Sequence, residues 1–146
     1  MLFRSNDEDL PLLNKVIAGA YTPGSIIKPF LALAALKENI IDPEKIIVST
    51  GSITVPNPYN PSLPSVFTDW KAHGEVDMRR AIEVSSNVYF YHIGGGYEDQ
   101  EGLGIERIDD YMRHFGFGGH SGVALPGELS GVVPNPEWKR EVFNDD

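Results

Sequence analysis

The chain has 146 residues, with 21 acidic against 12 basic side chains and a net charge of −9, which argues against nucleic-acid binding because that needs a basic surface. It has no cysteine, so disulfides and thiolate metal sites are excluded. Its apolar content of 41% fits a globular domain with a core, and its apolar runs fall far short of the roughly 20 residues of a membrane span.

Residues 1–22 read as an acidic lead-in and extended arm, too acidic at Asp7, Glu8 and Asp9 for a signal peptide. Leu10, Leu12 and Leu13 are expected to pack, with Pro11 breaking any long pattern, and Asn14 to Tyr21 reads as a short strand or extended arm. A helix is expected from Ser25 to Glu38, with Phe30, Leu31, Leu33, Ala34 and Leu36 giving it an apolar, alanine-rich body suited to close burial; Asn39 and the Asp42-Pro43 turn end it. Ile46–Val48 and Ile53–Val55 flank Ser49-Thr50-Gly51-Ser52 and read as a β-hairpin. Four prolines in Pro56–Pro64 mark an exposed loop. Phe67 and Trp70 then either line a groove or anchor that loop, the anchor being the favoured reading.

Asp77 is a good N-cap for a helix through Met78, Ala81, Ile82 and Val84. Ser85-Ser86-Asn87 interrupts it, the apolar run Val88–Ile93 resumes as a buried helix, and Gly94-Gly95-Gly96 stops it. Another helix is expected over residues 105–115, closed by Gly116. Gly122–Leu125 reads as a short strand before the Pro126-Gly127 turn, and Asn135-Pro136 opens a last helix.

Two polar clusters stand out. Ser25 and Lys28 are three residues apart at a helix start, where i and i+3 share a face and side chains lean toward the N-terminus. A neutral lysine there could take the serine's proton, and unpaired first-turn N–H groups favour an oxyanion. With ten Ser and six Lys, about 0.4 Ser-x-x-Lys matches arise by chance, and a serine cap with a solvated lysine is the ordinary alternative. Pro29 tilts the balance, because it removes a donor inside the first turn and biases Lys28 away from helical angles. Ser85-Ser86-Asn87 places polar groups between two apolar helical stretches, where they need partners.

Other clusters carry less. His73, His92, His114 and His120 match no common metal spacing and read as structural. Gly94–Gly96 with Gly102 and Gly104 follows a helix rather than a strand, and Glu98, Asp99 and Glu101 would repel a phosphate. Glu106, Asp109 and Asp110 sit on a helix's solvent face rather than as a glycosidase pair.

Tyr21–Pro29 resembles the first motif of penicillin-binding proteins, and Ser85-Ser86-Asn87 the second. The flanking text is similar to class B enzymes of the penicillin-binding protein 2 type: Asp69-Trp70-Lys71 with Ala72-His73-Gly74, Val88–Tyr91 after the second motif, Phe115–Gly118 and Pro134–Lys139. The resemblance covers residues 10–142. It implies an α+β, helix-rich, partial transpeptidase fold of the kind shared with serine β-lactamases, over residues 23–146, lacking most of the central antiparallel sheet. It implies Ser25 as acyl nucleophile on a terminal D-alanyl-D-alanine, Lys28 as general base, Ser85 as proton relay to the leaving amine, and Asn87 as the group that holds a substrate amide and orients Lys28. Ser86 is expected to be structural, facing away from the cleft. No cofactor is implied. The partners implied are peptidoglycan stem peptides, β-lactams and, for a full-length protein at the outer face of the bacterial cytoplasmic membrane, a membrane glycan polymerase.

The family's third motif, Lys-Thr-Gly or Lys-Ser-Gly, is absent from the sequence. The chain therefore reads as an internal piece of a transpeptidase domain that is inactive alone. The alternatives are a serine β-lactamase, for which Glu128 or Glu137 would have to activate a deacylating water, and a non-catalytic β-lactam-sensing or scaffold module.

Overall fold

A computed structural model describes residues 14–57 and 59–143. The expectations for Leu10, Leu12, Leu13 and the acidic start lie outside these residues. The described chain divides into two compact units, residues 24–111 and residues 14–23 with 112–143.

In the larger unit, a single 3-10 turn, Gly24–Ile27, leads into α2 (Lys28–Lys37). The expected regular helix from Ser25 therefore starts three residues late. In an α-helix the Ser25 carbonyl would take the N–H of residue 29, but Pro29 has none, so the first turn tightens. The buried face of α2 holds the expected alanine body, but two of the expected leucines turn outward. Ala32, Ala34 and Ala35 are buried, whereas Leu33 and Leu36 are exposed. The alanines let α2 lie close to α4 (Asn87–Gly95), whose Tyr89 and Ile93 are fully buried in the same core. Phe90 of α4 and Ile41, Ile47, Val76, Met78, Ala81 and Leu103 complete that core, with Met78 and Ala81 coming from α3 (Met78–Glu83). Asp77 caps α3 as expected, its carboxylate accepting the Arg80 N–H at 2.7 Å.

The strands depart from the expected hairpin. β1 (Ile47–Ser49) pairs antiparallel with β4 (Gly74–Val76), and β2 (Ser52–Val55) with β3 (Ser65–Thr68). The result is two nested two-stranded sheets on a single ribbon. The reversal falls in the proline-rich loop rather than at Gly51, because the Asn57 side chain folds the chain there, accepting from the N–H groups of Tyr59 and Asn60. Between the sheets, Asp69 N–H donates to the Gly51 carbonyl at 2.8 Å and His73 N–H to the Ser49 carbonyl at 3.1 Å. Residues 70–72 loop out between those two rungs.

Three helix ends share one geometry. In α2, α3 and α5 (Gly104–His114) the residue after the cap has positive φ: Asn39 at 54°, Ser85 at 54° and Gly116 at 88°. Each is followed by a residue whose N–H reaches back five positions: Ile40 to Ala35, Ser86 to Ala81 and Phe117 to Met112, at 2.9, 2.9 and 3.0 Å. Each also makes the shorter companion bond, Asn39 to Leu36, Ser85 to Ile82 and Gly116 to Arg113. This is the Schellman closure, which asks for glycine or asparagine at the left-handed position. Serine at that position is the exception.

In the smaller unit, α1 (Lys15–Ala18) is one helical turn rather than a strand, since the Asn14 side chain caps it by accepting the Val16 N–H. The backbone of Leu129 donates to the Ile17 carbonyl. The expected strand at Gly122–Leu125 does not form. Gly122 takes a φ of 84°, and Leu125 N–H turns back on the Val123 carbonyl at 2.8 Å. α6 (Pro136–Phe143) starts as expected, with Asn135 accepting the Trp138 N–H at 2.8 Å.

Candidate active site

The 3-10 turn, α2 and the α3–α4 junction together place the candidate side chains. Ser25 is exposed on the turn and is not used as a helix cap, because α2 starts from Ile27 with no side-chain capping bond. Ser25 lies in the 3-10 turn, and Lys28, three residues on, opens α2.

Lys28 is not the solvated first-turn lysine of the ordinary alternative. It is only 8% exposed. Its Nζ donates to the Ser85 carbonyl at 2.8 Å and to Asn87 Oδ1 at 2.7 Å, and lies 3.1 Å from Ser85 Oγ. It also stands 5.5 Å from the centroid of the Phe90 ring. Burial holds the Lys28 pKa below the usual lysine value, and the charge of Asp69 pulls it partly back.

These partners suit both protonation states. An ammonium has three donors for three oxygens. A neutral amine keeps two donors, for the Ser85 carbonyl and Asn87 Oδ1, and frees a lone pair that the Ser85 hydroxyl, 3.1 Å away, could meet. Losing a proton therefore leaves no partner stranded.

Ser85 and Asn87 reach Lys28 because of the junction's shape. The left-handed turn at Ser85 ends α3 and aims both its carbonyl and its hydroxyl at Lys28. Ser86, which is fully buried, faces the other way and caps α4, accepting the Tyr89 N–H at 3.3 Å. Its hydroxyl donates to Asp69 Oδ2 at 2.9 Å.

Sequence reasoning assigned no role to Asp69, whose carboxylate has no exposed surface. Oδ2 also accepts the Val88 N–H at 3.0 Å, and Oδ1 the Trp70 N–H at 2.9 Å. Burial pushes the Asp69 pKa up, and the donors around it (the Val88 and Asn87 N–H groups, the Ser86 hydroxyl and the Trp70 N–H) outweigh that and hold it below its ordinary 3.8. Trp70, 61% exposed, is an anchor, its Nε1 donating to the Val84 carbonyl at 3.1 Å. The only available signal for Asp69 was its place in the Asp-Trp-Lys text.

The chain matches the penicillin binding protein transpeptidase domain over residues 2–145. The chain belongs to the penicillin-binding protein transpeptidase family. Among curated members, it is 40% identical over 133 residues to the peptidoglycan D,D-transpeptidase MrdA of Acinetobacter baumannii, covering 90% of this chain and 18% of that protein. It is 37% identical to the MrdA of Haemophilus influenzae, covering 94% of this chain and 20% of the relative. The chain thus spans about a fifth of the length of these relatives. Its transpeptidase-family fold is likewise that of solved PBP2 structures. Pseudomonas aeruginosa PBP2 in complex with WCK 5153 superposes with a TM-score of 0.81 at 32% identity, over 97% of this chain and 30% of that one. PBP2 of Helicobacter pylori, in its complex with MreC, superposes with a TM-score of 0.82 at 34% identity, over 99% of this chain and 25% of that one.

Proposed function

We propose that these residues form the nucleophile-bearing part of a peptidoglycan D,D-transpeptidase, within residues 23–146. The observation that carries this reading is the capture of Lys28 Nζ by Ser85 and Asn87, one turn after an exposed Ser25.

In this reading, neutral Lys28 takes the Ser25 proton as Oγ attacks the carbonyl between two D-alanines of a stem peptide. The Ser25 backbone N–H supports the oxyanion, a contribution of about 3–4 kcal/mol per donor in such sites. When the tetrahedral intermediate collapses, the C–N bond breaks and the proton passes from Lys28 through the Ser85 hydroxyl to the leaving D-alanine amine. An amine of a second stem peptide then attacks the Ser25 ester, a crosslink forms, and Oγ regains its proton. Asn87 holds Lys28 in line and meets a substrate amide. A β-lactam acylates the same oxygen and remains. With no Lys-Thr-Gly or Lys-Ser-Gly in the sequence, the carboxylate-binding surface of the cleft must come from elsewhere, so the 146 residues alone do not turn over. The full-length protein would act at the outer face of the cytoplasmic membrane beside a membrane glycan polymerase.

A β-lactamase is the weaker reading. Hydrogen bonds from Ser121, side chain and then backbone, hold the Glu128 carboxyl below the usual range, which makes it a poor base for a deacylating water.

The test is a chimera in which these residues replace the matching segment of a MrdA-type transpeptidase. Incubation with a penicillin followed by peptide mapping should give one stable adduct on Ser25, absent in Ser25→Ala. A folded chimera with an undiminished adduct in Ser25→Ala, or with rapid hydrolysis of the penicillin, would overturn the proposal.

A further inference from the structure

Thr68, Asp69 and Trp70 are consecutive, and together they hold both sides of the turn that carries Ser85 and Asn87. Trp70 Nε1–H ties to Val84, the last residue before that turn, at 3.1 Å. Asp69 Oδ2 takes the Ser86 hydroxyl and the Val88 N–H, which flank Asn87, at 2.9 and 3.0 Å. The Thr68 carbonyl accepts from Asn87 Nδ2 at 3.4 Å and from the Tyr91 hydroxyl at 3.1 Å. The clamp begins at the end of β3, Thr68, and continues through Asp69, which still pairs with Gly51 across the ribbon.

We infer that Asp69 is the positioning residue of this site: its buried carboxylate fixes the turn that presents Ser85 and Asn87 to Lys28. Asp69 lies outside the reacting groups, because the three donors of Lys28 go to Ser85 and Asn87. It acts through the turn. Ser86, although it sits inside the motif, belongs to the clamp and not to the cleft: its hydroxyl is the bolt between Asp69 and α4. Among the described residues, the buried His73 faces Asp69, its Nε2 3.7 Å from Oδ1, and the Asp69 charge raises the Lys28 pKa. The inference rests on the reading of Lys28 as base, but its test does not need catalysis.

The test is carbon NMR of the Lys28 Cε across a pH titration of the 146-residue chain, with the signal assigned by Lys28→Arg. In folded Asp69→Asn, which keeps the shape and removes the charge, the Lys28 midpoint should move to lower pH, and hydrogen-exchange protection of the Val88 amide should fall. Ser86→Ala removes a clamp bond and leaves the charge, so it should lower Val88 protection while moving Lys28 less than Asp69→Asn does. An unmoved Lys28 in folded Asp69→Asn would overturn the inference. Should Asp69→Asn not fold, acid titration of the wild-type chain decides. The Val88 amide and the Lys28 Cε should then share one midpoint, below the ordinary carboxylate value of 3.8; no shared midpoint refutes the inference. If Asp69→Asn moves Lys28 while penicillin in the chimera labels a residue other than Ser25, the clamp stands and the transpeptidase reading falls.

Discussion

Ser85 offers the sharpest test of how stability and chemistry divide at this site. It occupies the left-handed position of a Schellman closure, with a φ of 54°, where glycine is the natural occupant. The left-handed backbone costs a non-glycine residue about 1–2 kcal/mol. Its hydroxyl makes one 3.1 Å contact with Lys28, worth about 0.5–1.5 kcal/mol net, while the carbonyl contact at 2.8 Å is independent of the side chain. Ser85→Ala keeps the strain and loses the hydroxyl, so it should destabilise by about 1 kcal/mol. Ser85→Gly loses the hydroxyl and relieves the strain, at a cost of about 0.4–1 kcal/mol from the more flexible unfolded chain. The glycine variant should therefore be more stable than the alanine variant by about 0.5–1 kcal/mol. Urea denaturation of the two variants reads that difference directly. Both should acylate with penicillin more slowly in the chimera, by about 10-fold or more, as expected for a lost proton relay. If alanine proves as stable as glycine, the backbone is not strained at Ser85. If both variants acylate at the parent rate, the hydroxyl relays nothing.

Acylation of the chimera should speed up with rising pH, because Lys28 must be neutral, and the inflection should fall below 10.5 and vanish in Lys28→Arg; a flat profile would remove Lys28 as the base. The sign for stability runs the same way. The unfolded chain holds the Lys28 proton more tightly, so the burial cost is present at neutral pH and is relieved as pH climbs toward 10.5. Tyr89→Phe should stabilise by about 1 kcal/mol, since its fully buried hydroxyl has no hydrogen-bond partner among the described residues and its pKa is pushed up to about 12, chiefly by burial. A clear loss in a melting experiment would mean that the hydroxyl has a partner. Gly102→Ala should destabilise by about 1–3 kcal/mol or more, because its Cβ would lie 2.1 Å from the Gly96 nitrogen and 2.4 Å from the Gly95 carbon, backbone atoms that cannot swing aside. A melting temperature unchanged from wild type would show that the Gly94–Gly96 segment moves freely.

Much of the site was legible because its motifs are short and local. Ser25 with Lys28, and Ser85 with Asn87, each sit within one turn of chain, and Pro29 announced a disturbed helix start. The buried face of α2 was misjudged at Leu33 and Leu36, which hydrophobicity favoured, whereas close helix packing selected Ala32 and Ala35 beside the expected Ala34. The strand pairing was misjudged because Gly51 looks like a hairpin turn, and only the partners of β1 and β2, supplied well downstream, decide where the ribbon reverses. Asp69 stayed silent for the same reason: an aspartate has no periodicity of its own, and its meaning lies in Ser86 and Val88, 17 and 19 residues away.

The bonds that hold Lys28 span 57 and 59 residues. During synthesis, Ser25 and Lys28 leave the ribosome together, but a chain that has emerged only through β3 still lacks both acceptors. Until α4 docks, a lysine in water keeps its proton at neutral pH and, in the proposed reading, cannot serve as the base. In the proposed reading, the acceptors that hold Lys28 therefore form with tertiary structure in a single step rather than growing with chain length.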